Sequence, residues 1–456
     1  MKNVVKKEAK EFIKGEVKDM QGIFGRIKRK DFSGNTGQVM KNSYYQLATN
    51  LTAKIGSLIF TVIVARLLVP EIYGLYGLAL STILLFGVFS DFGISTALLT
   101  FCSKTIDKNK SKSKAYFKYL TKIKILLLLL TSTILLLCSR WVANTYYNKP
   151  IFYALLAGAI YLPLLNFSVY ISNLFTCKNN FKISFRKEIL TQILRLVFIP
   201  IFIIFFLDSF SKEVFLFYLF LILGLIYLFI LLFLLINLRN FFNRAKEEKI
   251  TKKEKKDLHK FIFPLIVTAL SGVFFGYIDT IMLGRFVSSQ FIAYYQVSFN
   301  LITSASAILG FSASAVFPIF SRLKGKRLEN AFNKTRKFVL TISFSAFIFT
   351  LLVSNFLIQL IYGKNYLPAT LYLQFFAILL ISFPLIGLYT SYYNSIKKTK
   401  VVSYILIVST VINIILNYVF INLGLNYGMK WAVLGACFAT IISRYLYLAG
   451  LIFYKK

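Results

Sequence analysis

Blocks of apolar residues, each about twenty long and set off by short polar turns, recur along the whole chain. A helix rises about 1.5 Å per residue, so a block of this length matches the roughly 30 Å hydrocarbon core of a bilayer and predicts one spanning helix. In the first half the predicted spans are Tyr44 to Leu68, Tyr73 to Phe101, Tyr119 to Arg140, Ile151 to Cys177, Ile189 to Leu207 and Val214 to Leu238. In the second they are Phe261 to Leu283, Phe291 to Phe320, Phe338 to Tyr362, Tyr366 to Ser395, Val401 to Leu423 and Trp431 to Tyr454. The pattern predicts an all-α integral membrane protein with about 12 spans.

Loop charge orients these spans. Lys and Arg concentrate in cytoplasmic segments, so alternate loops should hold nearly all of them. Of the 54 present, 44 fall in the N-terminal tail, in every second loop and at the C-terminus, with Lys122 and Lys124 at the start of the third span counted in the cytoplasmic loop before it. The other side holds only Arg66, Arg140, Lys149, Lys212, Arg285, Lys364 and Lys430. A missed or merged helix would invert every later loop and destroy the alternation. Both termini are therefore expected on the cytoplasmic side of the cell membrane. Tyr73, Tyr76, Trp141, Tyr146, Tyr147, Tyr362, Tyr366, Tyr427 and Trp431 cluster near the outer ends, as an interfacial aromatic belt should.

Composition agrees: the chain is 57% hydrophobic and 16% charged, with mean hydropathy +0.68, too apolar for a soluble fold of this length. Its net charge of +37 does not point to nucleic acid, because the bases lie in short gaps between apolar runs rather than on one face of a soluble domain. Cys102, Cys138, Cys177 and Cys437 are far apart, lack the pair spacing of a zinc or redox site, and read as small buried apolar residues. The first 43 residues are basic and have no apolar h-region, so the first span itself is expected to target the chain. Among them Phe12, Ile13, Val17, Met20, Phe24 and Ile27 recur at helical spacing, which predicts a helix on an anionic leaflet. Gly15, Gly22 and Gly25 weaken that helix.

The longest charged connection, Arg239 to Lys260, divides the spans six and six. This predicts an N-terminal segment 1–43, a six-helix bundle 44–238, a cytoplasmic linker 239–260 and a second bundle 261–456. An even number of spans per half returns the chain to the same face, so homologous halves would be parallel repeats. ARLLVPEIYGLY in the first half lies over GRFVSSQFIAYY in the second, pairing Arg66 with Arg285 and Tyr76 with Tyr295. Two such bundles around a central cavity form an alternating-access transporter.

The chain has no GxxxxGK[ST] phosphate loop, so an ion gradient, the membrane potential or the substrate's own gradient must supply the energy. No cofactor is expected beyond a coupling H⁺ or Na⁺. Enzymatic chemistry is poorly supported: a membrane glycosyltransferase or polymerase should carry acidic pairs or a sizeable external loop, and every outer loop here runs to about a dozen residues or fewer. The one histidine, His259, sits at the cytoplasmic start of the seventh span, where an interfacial role suffices. Each charge inside a span costs about 2.5 to 3.5 kcal/mol on insertion scales and marks a candidate site. Lys54, Arg195 and Arg444 within spans, with Arg66 and Arg285 at the outer rim, are the candidate substrate-binding bases. Asp91 and Asp279 are the candidate ion-coupling acids. Mutual ion pairing, or snorkelling to an interface, stays open for all of them. Lys54 lies mid-span and cannot easily snorkel, so a basic lining there would suit phosphate or pyrophosphate, whereas a cation exporter should carry carboxylates.

Several stretches carry a family resemblance. FGYIDTIMLGRFVSSQFIAYYQVSFNLI, AVFPIFSRL, LIQLIYGKNYLPAT and INIILNYVFINLGLNYGMKWAVLGACFATIISR, in that order, resemble the polysaccharide-export branch of the multidrug/oligosaccharidyl-lipid/polysaccharide superfamily. ARLLVPEIYGLYGLALSTILLFGVFSDFGISTALL looks like that branch's first two helices, so the likeness runs from about Gln46 to Tyr447. Relatives usually show Gly-Ala-Ala where this chain has LGAC around Cys437. The resemblance implies a flippase of the O-antigen or repeat-unit type, with two six-helix bundles and a basic central cavity. Its cargo would be a polyprenyl-(pyro)phosphate-linked oligosaccharide, and its partners membrane lipid and glycan-assembly enzymes. The competing expectations are a drug/cation antiporter on the same scaffold, in which Asp91 or Asp279 dominates, and a membrane-embedded polymerase or glycosyltransferase.

Overall fold

A computed structural model describes residues 34–239, 241–243, 248–315, 320 and 323–455. The predicted surface helix from Phe12 to Ile27 lies outside the described residues. Among the described residues the chain forms fourteen α-helices and no strand. The first half holds α1 (Gly34–Leu67), α2 (Pro70–Phe89), α3 (Ile94–Thr105), α4 (Lys110–Arg140), α5 (Phe152–Cys177), α6 (Phe181–Phe206) and α7 (Lys212–Leu238). The second holds α8 (Lys252–Phe286), α9 (Ser289–Ala315), α10 (Gly325–Tyr362), α11 (Ala369–Phe376), α12 (Leu379–Ser395), α13 (Thr399–Leu425) and α14 (Met429–Phe453).

Every predicted span falls on a helix, but two of them are broken. The second span divides into α2 and α3 around Phe92 and Gly93, whose φ values of 43° and 81° cannot continue a helix. The tenth divides into α11 and α12, bent by 43°. Among the described residues ten helices are long and apolar enough to cross a membrane, or eleven with that bent pair as one. The eighth predicted span lies on α9, where Gln290, Gln296, Asn300, Thr303, Ser304 and Ser306 dilute the apolar run. Its continuation at 316–319 lies outside the described residues.

Within the first half α5 packs along α7 and α1 along α6; within the second, α13 packs along α14 and α9 along α12. The halves meet where α2 lies against α8 and α9. Lipid supplies no hydrophobic drive for helix association, so such a contact depends on close fit. A Cβ on Gly74 would fall inside the Ser289 carbonyl, and one on Gly77 would overlap the Gln296 side chain. Gly74→Ala is accordingly expected to destabilise the detergent-solubilised protein by about 1–3 kcal/mol through overpacking, read as a lower unfolding temperature. Gly272→Ala, where an added Cβ meets nothing within 4 Å, is the control and should not lower it.

At one end of the molecule residues 248–259 fold onto the start of α4. Lys112 bridges Glu248 at 3.2 Å and Glu254 at 2.8 Å, and Tyr119 Oη lies 2.9 Å from His259 Nε2. Thr251 and Glu254 form a capping box that starts α8 there.

Candidate functional site

At the opposite end, the two rim arginines tie the halves together. Arg66 Nε donates to the Ile361 carbonyl at 2.7 Å and its Nη2 to that of Leu360, so the end of α1 caps the last turn of α10. Tyr366 Oη donates to the Leu68 carbonyl at 3.2 Å beside it. Arg285, at the end of α8, sits 5.1 Å over the Tyr146 ring in the π-helical turn that follows α4. Each arginine thus leaves the first long helix of one half and meets the end of the third span of the other.

Four bases lie deeper, and their surroundings differ. Lys124 of α4, which sequence reasoning had placed with the cytoplasmic loop, is wholly buried. Its Nζ donates to Asp91 Oδ1 at 2.7 Å and to the Ser90 carbonyl at 2.9 Å, and Ser95 Oγ also donates to Asp91. Asp91 therefore has a counter-charge, at the break between α2 and α3. Lys54 lies on the exposed side of α1, roughly 200° around the helix from Gly56, which packs on Gln192. It has no ion-pair partner among the described residues.

Arg444 belongs to a buried polar cluster built from three helices that each contribute residues four apart: Phe275 and Asp279 on α8, Asn413 and Asn417 on α13, Thr440 and Arg444 on α14. This spacing puts both members of each pair on one helix face. Asp279 accepts from Tyr295 Oη at 3.0 Å, from Thr440 Oγ1 at 2.9 Å and from Asn417 Nδ2. The Arg444 guanidinium lies over the Phe275 ring, 3.3 Å from its centroid, donates to the Phe275 carbonyl and feels the Asp279 charge. Oδ1 of Asn413 and Asn417 are buried without a partner. A carboxylate with spare amide oxygens and a hydroxyl is hard-donor chemistry suited to a proton or a small cation.

Arg195 has neither kind of compensation. It lies on a face of α6 that also carries Glu188, Gln192, Ile199 and Phe202, at steps of three and four residues. Its guanidinium stacks 4.0 Å from the centroid of the Phe60 ring on α1, and its Nε is buried without a hydrogen-bond partner. Gln192, one turn earlier, donates to Glu188 at 2.8 Å and keeps its Oε1 buried and unpartnered. No carboxylate pairs with Arg195 among the described residues. The Tyr161 and Tyr227 rings are 5.6 Å apart, edge to face.

The offset that pairs Arg66 with Arg285 and Tyr76 with Tyr295 also pairs Phe60 with Asp279. The two halves thus carry corresponding sites of opposite character. In the second, the tyrosine bonds a carboxylate; in the first, phenylalanine takes that place and an arginine stacks on it. Lys124, the asparagines and Thr440 escaped sequence reading as site residues, and Tyr76 reads there as part of the interfacial belt. The helical spacing of Asn413 with Asn417 was the one available signal, since polar amides four apart in an apolar run must face something polar.

A family profile described as Polysaccharide biosynthesis protein matches residues 39–324, and one described as MatE matches residues 264–419. No curated protein sequence matches the chain. Among solved structures it is similar to the inward-facing conformation of a multidrug resistance MATE family transporter of the MOP superfamily. That match has a TM-score of 0.68 at 13% identity, over 87% of this chain and 93% of the other. It is also similar to the lipid II flippase MurJ in an inward closed conformation, with a TM-score of 0.66 at 18% identity, over 89% and 87% of the two chains. The Vibrio cholerae MATE transporter VcmN in its bent form matches with a TM-score of 0.54 at 14% identity, over 91% and 96%.

Proposed function

This chain belongs to the polysaccharide biosynthesis protein family, in the polysaccharide-export branch of the multidrug/oligosaccharidyl-lipid/polysaccharide superfamily, and from that premise we propose that it is a flippase for polyprenyl-(pyro)phosphate-linked oligosaccharide. The observation that carries this reading is Arg195: a base within a spanning helix with no carboxylate paired to it among the described residues. An uncompensated guanidinium in a span is costly and has its geometry matched by a phosphate, which accepts two parallel hydrogen bonds from it. A drug cation would be repelled there.

In this mechanism the protein sits in the cytoplasmic membrane with both termini in the cytoplasm, as its loop charges require. The (pyro)phosphate enters between the bundles 44–238 and 261–456 and pairs with Arg195, while the polyprenyl chain stays in lipid. The bundles then rock about the cargo, the Arg66 and Arg285 contacts parting as the outer side opens. Asp279, held by three donors, is the coupling acid for H⁺ or Na⁺, and Asp91 is held in reserve by Lys124. Substrate supply and use fall to glycan-assembly enzymes; the protein itself makes and breaks no glycosidic bond.

Reconstitution tests this directly. Purified protein in liposomes should carry a lipid-linked oligosaccharide from one leaflet to the other, measured as sugar that becomes accessible to an impermeant lectin. A rate equal to that of protein-free liposomes overturns the reading. The second reading, an ion-coupled drug or cation antiporter, draws on the Asp279 cluster and the MatE match. It is supported instead if cation-driven dye efflux appears and depends on Asp279 but not Arg195. Sugar transfer by the purified protein would point to a polymerase or glycosyltransferase.

A further inference from the structure

Asp279 and Arg444 are the two opposite charges of one buried cluster, and no salt bridge joins them. The carboxylate is held by Tyr295, Thr440 and Asn417, whereas the guanidinium sits on the ring and the carbonyl of Phe275. We propose that Arg444 is a tethered competitor for the coupling cation at Asp279: it stays on Phe275 while the cation is bound and turns to the carboxylate when the cation leaves. This rests on the reading of Asp279 as the coupling acid, and it assigns Arg444 to the ion rather than to the phosphate of the cargo.

The first argument is placement. In an α-helix the Phe275 carbonyl is the one that faces the Asp279 N–H, and here it also accepts from Arg444 Nη2. From the other side, Thr440 and Arg444 are one turn apart on α14, and Thr440 reaches the carboxylate at 2.9 Å. Two helices thus set the guanidinium about one turn from the carboxylate, in a site where Asp279 is 2% and Arg444 8% exposed and charges are poorly screened. No second acid shares the site: after Asp257 the only acidic residues are Asp279 and Glu329, and Glu329 lies near the start of α10. The groups that bond Asp279 from α9, α13 and α14 are a phenol, an amide and a hydroxyl, so Arg444 is the charge that opposes a cation there.

The second argument is unused bonding capacity. Nε of Arg444 and Oδ1 of both Asn413 and Asn417 are buried without a hydrogen-bond partner. Buried polar atoms are normally paired, so each marks a place for a partner that the packed chain does not supply. The amide oxygens, beside a carboxylate, suit a small hard cation. The guanidinium, on a flexible stem and with an unbonded Nε, has donors to give to the same carboxylate. A bound cation and a guanidinium one turn away repel each other, so both compete for a single negative charge. Exchange between a mobile cation and a tethered one links occupancy of the site to the packing of α14 on α8.

The test measures Na⁺ binding to the full chain in lipid nanodiscs, as radioactive Na⁺ retained and as the rise of unfolding temperature in NaCl over choline chloride. Arg444→Gln removes the competitor and should bind Na⁺ at least about tenfold more tightly than the wild type. Arg444→Lys keeps the charge and should stay within about threefold of the wild type. Arg444→Gln also leaves a buried carboxylate alone, so it should unfold at a lower temperature in choline and be restored by Na⁺. Equal or weaker Na⁺ binding in Arg444→Gln, binding in neither protein, or no restoration overturns the competition. The coupling reading is judged apart, by ion-driven oligosaccharide flux in proteoliposomes: it falls if Asp279→Asn leaves that flux unchanged, whatever the Na⁺ affinities.

Discussion

Arg195→Gln is expected to lower the rate of oligosaccharide translocation by about ten- to a hundredfold while leaving the protein as stable as the wild type, or more so. The two readouts move apart for one physical reason. Hydrogen bonds to a charged partner contribute about 1.5–3 kcal/mol each, and a tenfold effect needs about 1.4 kcal/mol, so losing the charge-assisted contacts to a phosphate has this size. The free protein, however, gains from this guanidinium only its stack on Phe60; with no carboxylate paired to it among the described residues and its Nε unbonded, that contact is set against the cost of holding the charge in a span. Arg195→Lys keeps the charge but not the planar fork, and should fall between the two. Initial rates in proteoliposomes, paired with unfolding temperatures in detergent, decide the matter. A full rate in Arg195→Gln would move the phosphate contact elsewhere, with Lys54 the next base to test.

The buried pair Lys124 and Asp91 should behave in the opposite way, with stability the quantity that moves. Lys124 is 0% exposed and Asp91 27%, which makes the two single substitutions unequal. Asp91→Asn strands a wholly buried ammonium and is expected to cost about 3–5 kcal/mol. Lys124→Met removes that ammonium and leaves a carboxylate that can still reach water, so it should cost less. Combining Asp91→Asn with Lys124→Met should recover most of the loss, since neither charge then remains. Chemical unfolding of the four proteins in one detergent yields the coupling energy. Additive losses would mean that the pair does not hold the break between α2 and α3.

Much of the fold was legible because lipid imposes a single strong rule. A backbone in hydrocarbon must satisfy its own hydrogen bonds, so every apolar block of sufficient length becomes a helix. The breaks were harder to see. Asp-Phe-Gly at 91–93 reads as part of one long apolar run, and only the left-handed backbone at Phe92 and Gly93 shows where the helix stops. Gly93 is required there both for its φ and because a Cβ would strike Leu265. Among the charges flagged by span position, Asp279 and Arg444 are buried, Arg195 is half-buried and Lys54 is exposed. Span position misassigned Lys124, because a lysine five residues into a span looks like a snorkelling neighbour of the loop until its partner is known.

The sequence by itself determined the class of solvent, the positions of the helices, the charge asymmetry of their loops and the family, because each of these depends on the order and spacing of residues along one segment. Which charges are neutralised was decided only by tertiary structure. Asp91 meets Lys124 from 33 residues away, Arg66 meets a carbonyl 295 residues away, and Asp279 meets Thr440 across 161. A charge's worth in a membrane depends on what lies within a few ångströms of it, and helix packing alone sets that. The isolation of Arg195, on which the functional reading turns, is a property of the packed bundle and of no single segment.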